Sequence, residues 1–157
     1  KYTSVDPRVV IDDVVRLCGL LNIEYLGADR GAGHTNNLLL MDRLAFTKVM
    51  EFAYVPTQRE GMKWDQKSQC FILDRTVALD STLYKLRNQQ TVFPTYDTFG
   101  KTFFPDIAGV FTEYNDYLKK VEYKHPPEIP DDFFHALTYM LLAHQIATKY
   151  AGGRYGV

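Results

Sequence analysis

The sequence lacks the features that mark several common protein classes. Only Cys18 and Cys70 carry thiols, too few for a disulfide framework. The formal net charge of -1 is unlike the strongly basic balance of a small DNA-binding domain, although an enzyme with a local basic groove stays possible. We find no apolar run long enough to span a membrane, and no signal-peptide or lipidation pattern.

Motifs of several enzyme classes are missing as well. The cysteines and histidines lack zinc-ligand spacing, since neither Cys-x-x-Cys nor His-Glu-x-x-His occurs. No Gly-x-Ser-x-Gly elbow supports a serine hydrolase. The glycine-rich segment at residues 30–37 lacks the Lys-Ser or Lys-Thr of a phosphate-binding loop and does not match the dinucleotide-binding fingerprint.

What is present is typical of a globular α/β protein. The hydrophobic fraction of 46% and the 157 residues suffice for one domain with a real core, and we expect Cys18 to be a buried, reduced thiol. Helix and strand patterns alternate, which predicts helices covering a sheet. The predicted helices cover residues 6–21, 36–45, 74–90, 105–123 and 131–150, the last ended by Gly152 and Gly153, and the predicted strands cover residues 23–28, 48–55 and 69–73. Residues 56–69 and 95–104 are expected to be irregular.

Asp29 ends a short apolar run and is followed by the glycine-rich segment. In open α/β sheets, ligands collect beyond the carboxyl ends of strands, so a carboxylate here is a candidate ligand-binding group. Gly31 and Gly33 permit close backbone approach and positive φ. The alternative is a plain turn, because Asp and Gly are the commonest turn residues.

Asp131 and Asp132 begin the last predicted helix, and His135 follows them by four and three positions. One Asp suffices as a helix cap, because its side chain accepts hydrogen bonds from exposed backbone N–H groups. A second carboxylate and a histidine on the same helical face leave room for binding a hard divalent cation. The alternative is a cap, a solvated neighbour and a core histidine.

These two places can contribute to one metal site. Two divalent metals about 4 Å apart activate a water and stabilise the leaving oxygen in phosphodiester hydrolysis. Mg²⁺ and Mn²⁺ prefer oxygen ligands, so we expect one of them, or a pair, on Asp29 with Asp131 or Asp132. His135 would orient a carboxylate or touch the scissile phosphate.

Three stretches together resemble the carboxy-terminal nuclease domain of the large terminase subunit of tailed bacteriophages. Residues 23–34 are similar to the strand that bears the family's second acidic residue. Residues 73–80 and 91–94 resemble the helix and short strand between the acidic motifs. Residues 130–137 resemble the last acidic motif, at the start of the final helix. The resemblance lies in the order and spacing of these stretches.

The resemblance implies a ribonuclease H-like fold, with a mixed central sheet flanked by helices. It implies an endonuclease that cuts concatemeric double-stranded viral DNA by two-metal hydrolysis, with Mg²⁺ or Mn²⁺ held by Asp29, Asp131 and Asp132. The implied partners of the parent protein are viral DNA, the portal and the small terminase subunit, in the host cell cytoplasm and outside any membrane. Five basic residues are candidates for DNA-backbone contact, each with a solvated surface charge as the alternative: Lys63, Lys67, Arg75, Lys85 and Arg87.

One departure from the family pattern concerns its first catalytic Asp, which lies on a strand upstream of the helix that starts at Asp6. We expect residues 1–157 to form a single nuclease-like domain without that strand and without the family's ATPase motor domain. Asp6, Asp12 and Asp13 do not substitute, because they lie at or within a predicted helix and not in a strand. The chain alone is therefore expected to bind metal weakly and to cut DNA poorly.

Two other interpretations stay open. One is a different ribonuclease H-like nuclease, such as a resolvase or a transposase-like enzyme, which shares the acidic chemistry. The other is a non-catalytic module whose carboxylates are helix caps and whose aromatic side chains bind a protein partner: Tyr96, Phe99, Phe103 and Phe104. Substitution of Asp29 or Asp132 by Ala separates a nuclease from such a module. A nuclease should fold almost normally and lose metal binding. A module should keep its metal affinity unchanged and lose at most a helix cap, about 1 kcal/mol.

Overall fold

The computed structural model describes residues 6–31, 33–55, 61–117 and 119–151. Helices and strands alternate along these residues, and the predicted α/β class with a mixed sheet is confirmed. In chain order the elements are α1 Pro7–Leu20, β1 Tyr25–Asp29, α2 His34–Arg43, β2 Lys48–Tyr54, β3 Lys63–Asp65, β4 Cys70–Leu73, α3 Arg75–Arg87, a π-helix Tyr96–Gly100, α4 Lys101–Ala108, β5 Phe111–Asn115, β6 Lys120–Lys124 and α5 Asp132–Ala151.

The four-stranded sheet has the order β1-β2-β4-β3. β1 and β2 run parallel, with Tyr25 opposite Lys48 and Asp29 opposite Phe52, whereas β3 and β4 are antiparallel. β5 and β6 form a separate antiparallel hairpin. Because β1 belongs to a parallel pair and ends at Asp29, that carboxylate lies at the strand end where ligands bind in open α/β sheets.

Capping residues explain where two helices begin. Asp6 accepts a hydrogen bond from the backbone N–H of Arg8, and Pro7 takes the first helical position, so the predicted start of α1 is confirmed. Asp74 accepts from the backbone N–H of Val77 at 3.1 Å and caps α3. Both helices thus follow from short polar signals that precede an apolar segment.

Residue contacts divide the chain into two compact units. The first holds the described residues up to 53, residues 62–72 and the described residues from 139 onward. The second holds the described part of residues 54–61 together with residues 73–138. The expectation of one nuclease-like domain stays a prediction, and each unit is described by itself below.

Each unit has a core in which aromatic side chains take part. In the first, Phe52 is fully buried, and its ring centroid lies 5.7 Å from that of Tyr139 and 5.6 Å from that of Phe71. In the second, the core consists of Leu79, Tyr123 and Phe134. Burial and a hydrogen bond to Asp80 raise the pKa of Tyr123 to about 12.

The β5–β6 hairpin replaces part of a predicted helix, so the expectation of a helix over residues 105–123 is wrong. α4 ends at Ala108, and the hairpin follows from Phe111 to Lys124. Val121 and Tyr123 alternate with charged residues in β6, which is the two-residue period of a strand rather than the period of a helix. Val, Thr and Tyr also favour strands, and aromatic residues at near-helical spacing hid this signal.

Two stretches predicted to be irregular contain regular structure. Residues 95–104 form the π-helix and the first half of α4, because Phe99 and Phe103 pack on Phe133 with ring centroids 5.0 and 4.9 Å away. Within residues 56–69, β3 forms by pairing with β4. Residues 56–60, and the predicted helix end at Gly152 and Gly153, lie outside the described residues.

Two smaller expectations can also be compared with the structure. Cys18 is a free thiol and only 5% exposed, as predicted. In the described part of the chain, no helix has both the length and the apolar character needed to cross a membrane.

Candidate functional site

Asp29 presents an exposed carboxylate at the end of β1. The hydroxyl of Tyr139 donates to its Oδ1 atom at 2.9 Å. The next residue, Arg30, continues the strand pairing by donating its backbone N–H to the carbonyl oxygen of Phe52 at 2.8 Å. The carboxylate is therefore oriented by one hydrogen bond and a fixed backbone, while it stays open to solvent.

The glycines after Asp29 provide space around it. A Cβ atom on Gly31 would lie 2.7 Å from Asp29 Oδ2, and one on Gly33 would lie 3.1 Å from the Asp29 carbonyl oxygen. A side chain at either position would therefore crowd Asp29. Neither Gly31 nor Gly33 uses the positive φ that glycine permits: Gly33 has a φ of -81°, and Gly61 alone among the glycines of the described residues has a positive φ.

A buried carboxylate that sequence reasoning missed lies behind this turn. Glu51 on β2 is only 3% exposed. Its Oε2 accepts from Arg30 Nη1 at 2.6 Å, and its Oε1 lies 2.8 Å from both Asn37 Nδ2 and His34 Nδ1. The sequence signal for Glu51 is a charged residue in the middle of an apolar run. A buried charge needs partners, so such a residue indicates a polar network.

Asn37 links Glu51 to Asp29. Its Nδ2 group donates to the Asp29 carbonyl oxygen at 2.7 Å as well as to Glu51. The side chain is 5% exposed and lies inside α2, which begins at His34 with Gly33 at its cap. The helix predicted over residues 36–45 thus begins two residues earlier than expected, and Asn37 does not cap it, because its amide is engaged by the strand end.

In the second unit, the carboxylate of Asp131 is paired with basic side chains. Its Oδ2 atom lies 3.1 Å from Arg75 Nη2 and 3.0 Å from His135 Nε2. Arg75 also donates to the carbonyl oxygen of Tyr123 at 2.9 Å, which fixes the guanidinium. Asp131 is therefore held in an ion pair, and its side chain is only 16% exposed.

His135 is engaged on both ring nitrogens. Its Nδ1 lies 3.0 Å from the hydroxyl of Tyr54, and its Nε2 contacts Asp131 and Arg75. The predicted proximity of His135 to a carboxylate is confirmed for Asp131. With its side chain 18% exposed, the imidazole is placed to orient a carboxylate rather than to meet a ligand from solvent.

A second imidazole lies near the same carboxylate. His125 Nε2 is 3.7 Å from Asp131 Oδ1, and its Nδ1 contacts the carbonyl oxygens of Pro126 and Ile129 at 3.0 and 2.7 Å. The Pro126 carbonyl, then that of Ile129, and to a smaller degree the charge of Asp131, raise the pKa of His125 above its ordinary value. The protonated form of His125 is thus favoured beside Asp131.

Asp132 differs from its neighbour because its side chain is exposed in the first turn of α5. Asp106, which is 2% exposed, accepts a hydrogen bond from the backbone N–H of Phe133 at 3.2 Å. A residue of α4 therefore accepts a hydrogen bond from a backbone N–H group at the start of α5, and Asp132 is not needed for that bond.

The residues of the predicted metal site fall into the two units: Asp29 in the first, and Asp131, Asp132 and His135 in the second. Their carboxylate oxygens are the ligand type that Mg²⁺ and Mn²⁺ prefer. Searched over the described ranges, the chain shows no group of three or more His, Cys, Asp or Glu side chains that could hold a metal ion. The donors thus suit these cations in type.

Comparison with known proteins gives no relative for this chain. No protein-family model, no curated protein and no solved structure matches it. Function is therefore inferred from the residues and their geometry.

Proposed function

We propose that this chain is a nuclease domain of the terminase large-subunit type, which cuts concatemeric double-stranded DNA with the help of divalent metal. The observation that carries the proposal is the exposed Asp29 carboxylate at the carboxyl end of a parallel strand. Tyr139 orients this group, and Gly31 keeps the space beside it free of a side chain. A plain turn requires neither of these arrangements.

We assign Asp29 and Asp132 as the groups that would hold Mg²⁺ or Mn²⁺. Both are exposed, whereas Asp131 is occupied by Arg75 and His135. A cation held by either carboxylate would neutralise phosphate charge and help to activate a water for attack on phosphorus. Asp131 then acts as a positioning residue, because it anchors the chain directly before Asp132.

His135 and Arg75 support this arrangement through Asp131. Tyr54 and Asp131 contact opposite nitrogens of the His135 ring, which fixes its orientation. Arg75 spans the Tyr123 carbonyl and Asp131, so its guanidinium is committed to the protein. Of the basic candidates for DNA contact, the exposed ones are therefore the better assignments: Lys63, Lys67 and Arg87.

The proposed partners follow from the resemblance to the terminase family. They are double-stranded viral DNA and, for the parent protein, the portal and the small terminase subunit. The proposed location is the host cell cytoplasm.

The test is a calorimetric Mn²⁺ titration of the wild type and of two variants, Asp29→Ala and Asp132→Ala. Each has a matched control with an exposed aspartate on the same unit: Asp42→Ala for the first and Asp116→Ala for the second. Nicking of supercoiled plasmid is followed in parallel.

We expect weak Mn²⁺ binding that each site variant weakens at least about 10-fold, because loss of even a hydrogen-bonding partner of a metal ligand typically costs that much. The controls should match the wild type. Plasmid nicking should be slow. Equal affinity in Asp29→Ala and Asp42→Ala would remove Asp29 from the site, and the absence of Mn²⁺ binding by the wild type would overturn the proposed function. Rapid nicking would overturn the expectation that this chain cuts DNA poorly.

A second candidate function rests on the aromatic cluster of the second unit, which consists of Phe93, Phe99, Phe103 and Phe133. The rings of Phe93 and Phe99 stack with centroids 5.0 Å apart. Tyr96, which lies between Phe93 and Phe99 in sequence, and Phe104, which follows Phe103, are 64% and 53% exposed. Exposed apolar side chains beside a packed cluster are typical of a protein-interaction surface. As a non-catalytic module, the chain would bind a protein partner here.

Substitution of the two exposed residues, Tyr96 and Phe104, separates the two candidate functions. Tyr96→Ala with Phe104→Ala should leave Mn²⁺ affinity unchanged under the nuclease proposal. Under the module proposal, the same double variant should abolish partner capture, whereas Asp29→Ala should have no effect on it.

A further inference from the structure

We propose that Glu51 is a positioning residue for Asp29, an assignment that rests on the proposed nuclease function. Glu51 is a buried carboxylate on β2 that no part of the expected metal chemistry requires. Its partners, Arg30, His34 and Asn37, all belong to the segment that directly follows Asp29.

Glu51 contacts the glycine-rich segment near both of its ends. Arg30, its first residue, contacts Glu51 Oε2 at 2.6 Å, and Asn37 contacts Oε1 at 2.8 Å. Asn37 returns to the start of the segment by donating to the carbonyl oxygen of Asp29 at 2.7 Å. Glu51 thus ties the two ends of residues 30–37 to one point on the neighbouring strand, and Asp29 leaves β1 in a fixed direction.

The charge of Glu51 is what allows it to satisfy three donors at once. An ionised carboxylate offers only acceptors, on two oxygens. A glutamine has the same size but carries an NH₂ group in place of one oxygen, so that group would face Arg30 or the pair formed by His34 and Asn37. Glu51→Gln therefore keeps the packing and breaks the network.

This network predicts an effect on metal affinity that a merely structural role does not. Partners of metal-binding groups typically change metal affinity by about 10- to 100-fold when they are removed. If Glu51 only stabilises the first unit, its effect on Mn²⁺ affinity should match that of any variant with equal loss of stability. Ile11→Ala is a suitable control, because Ile11 is 4% exposed in α1 of the same unit and has no part in the network.

The experiment compares the wild type, Glu51→Gln and Ile11→Ala by three measurements. NMR without metal records the side-chain amide of Asn37 and the carboxyl carbon of Asp29. Urea unfolding records stability, and Mn²⁺ titration records affinity.

In Glu51→Gln we expect displaced Asn37 and Asp29 resonances and Mn²⁺ affinity about 10-fold weaker or more. In Ile11→Ala we expect lower stability with both resonances and affinity unchanged. Unmoved Asp29 and Asn37 resonances in Glu51→Gln, or an affinity loss equal to that of Ile11→Ala, would overturn the assignment. If the wild type binds no Mn²⁺, the proposed function fails, and the metal-free resonances alone decide whether Glu51 positions Asp29.

Discussion

Replacement of Gly27 by Ala tests whether β1 packs directly against the backbone of α5. A Cβ atom at Gly27 would lie 2.3 Å from the carbonyl oxygen of Tyr139 and 2.7 Å from its carbonyl carbon, whereas ordinary contacts are 3.4–4 Å. Both atoms belong to the helix backbone, so no side chain can rotate away, and strand and helix must separate. Overpacking of this kind costs about 1–3 kcal/mol, and we expect the upper end of that range.

The chain offers a matched control for this substitution. Gly19 lies in α1, and a Cβ atom there would meet nothing within 4 Å. Gly19→Ala should therefore stabilise the protein by about 0.5–1 kcal/mol through helix propensity. The same added methyl group is thus expected to act with opposite sign at the two glycines.

Urea unfolding measures both effects. Fluorescence of the single tryptophan, Trp64, is a suitable probe, because its ring packs against Phe71 in the first unit with centroids 4.9 Å apart. Gly27→Ala should also weaken Mn²⁺ binding, since it displaces the residue that donates to Asp29. A Gly27→Ala protein as stable as the wild type, or a Gly19→Ala protein that is equally destabilised, would refute the reasoning.

Three further predictions follow from single contacts. Tyr139→Phe removes the hydroxyl that donates to Asp29 at 2.9 Å, so the free energy of unfolding should fall by about 1 kcal/mol. Calorimetry should also show several-fold weaker Mn²⁺ binding. Arg75→Ala leaves Asp131 without its guanidinium partner and should lower the free energy of unfolding by about 2 kcal/mol in urea titrations. The raised pKa of His125 predicts a stabilising contribution that is fully present below its ordinary value of 6.5 and is lost as the pH rises through the higher folded-state value. Urea unfolding between about pH 6 and pH 8 should detect that loss, and His125→Gln should abolish it.

Controls for these predictions lie elsewhere on the chain. Arg16 forms an exposed ion pair with Asp13, so Arg16→Ala should cost no more than about 0.5 kcal/mol. An equal loss in Arg16→Ala and Arg75→Ala would contradict the special role given to Arg75. Tyr25→Phe removes a hydroxyl in the same unit from a residue on β1, and Mn²⁺ binding reduced as much there as in Tyr139→Phe would contradict the orientation of Asp29 by Tyr139. If the free energy of unfolding of His125→Gln keeps the same pH dependence, a group other than His125 causes it.

Local signals in the sequence predict the elements that surround the first carboxylate. Asp6 with Pro7 marks the start of α1, and the apolar run before Asp29 marks β1. These signals lie within a few residues of the structure that they specify, so they can be recognised without knowledge of the fold. The hairpin of β5 and β6 was hidden because its aromatic residues also fit a helical period.

Long-range partners could not be predicted in the same way. Asp131 and Asp132 are adjacent and chemically equal, and the ion pair that sets Asp131 apart comes from Arg75, 56 residues away in sequence. Glu51 likewise acquires its role from Arg30, 21 residues away. Pairings at such distances depend on how the elements pack, which no local pattern specifies.

Paramagnetic broadening by Mn²⁺ tests the central claim most directly, because it locates the bound ion on the protein. At low Mn²⁺, we expect amide signals next to Asp29 and Asp132 to broaden first in the wild-type NMR spectrum. Those next to Asp29 should persist in Asp29→Ala, and those next to Asp132 should persist in Asp132→Ala. Broadening that begins elsewhere, or that is unchanged in both variants, would contradict the assignment of these two carboxylates as metal ligands.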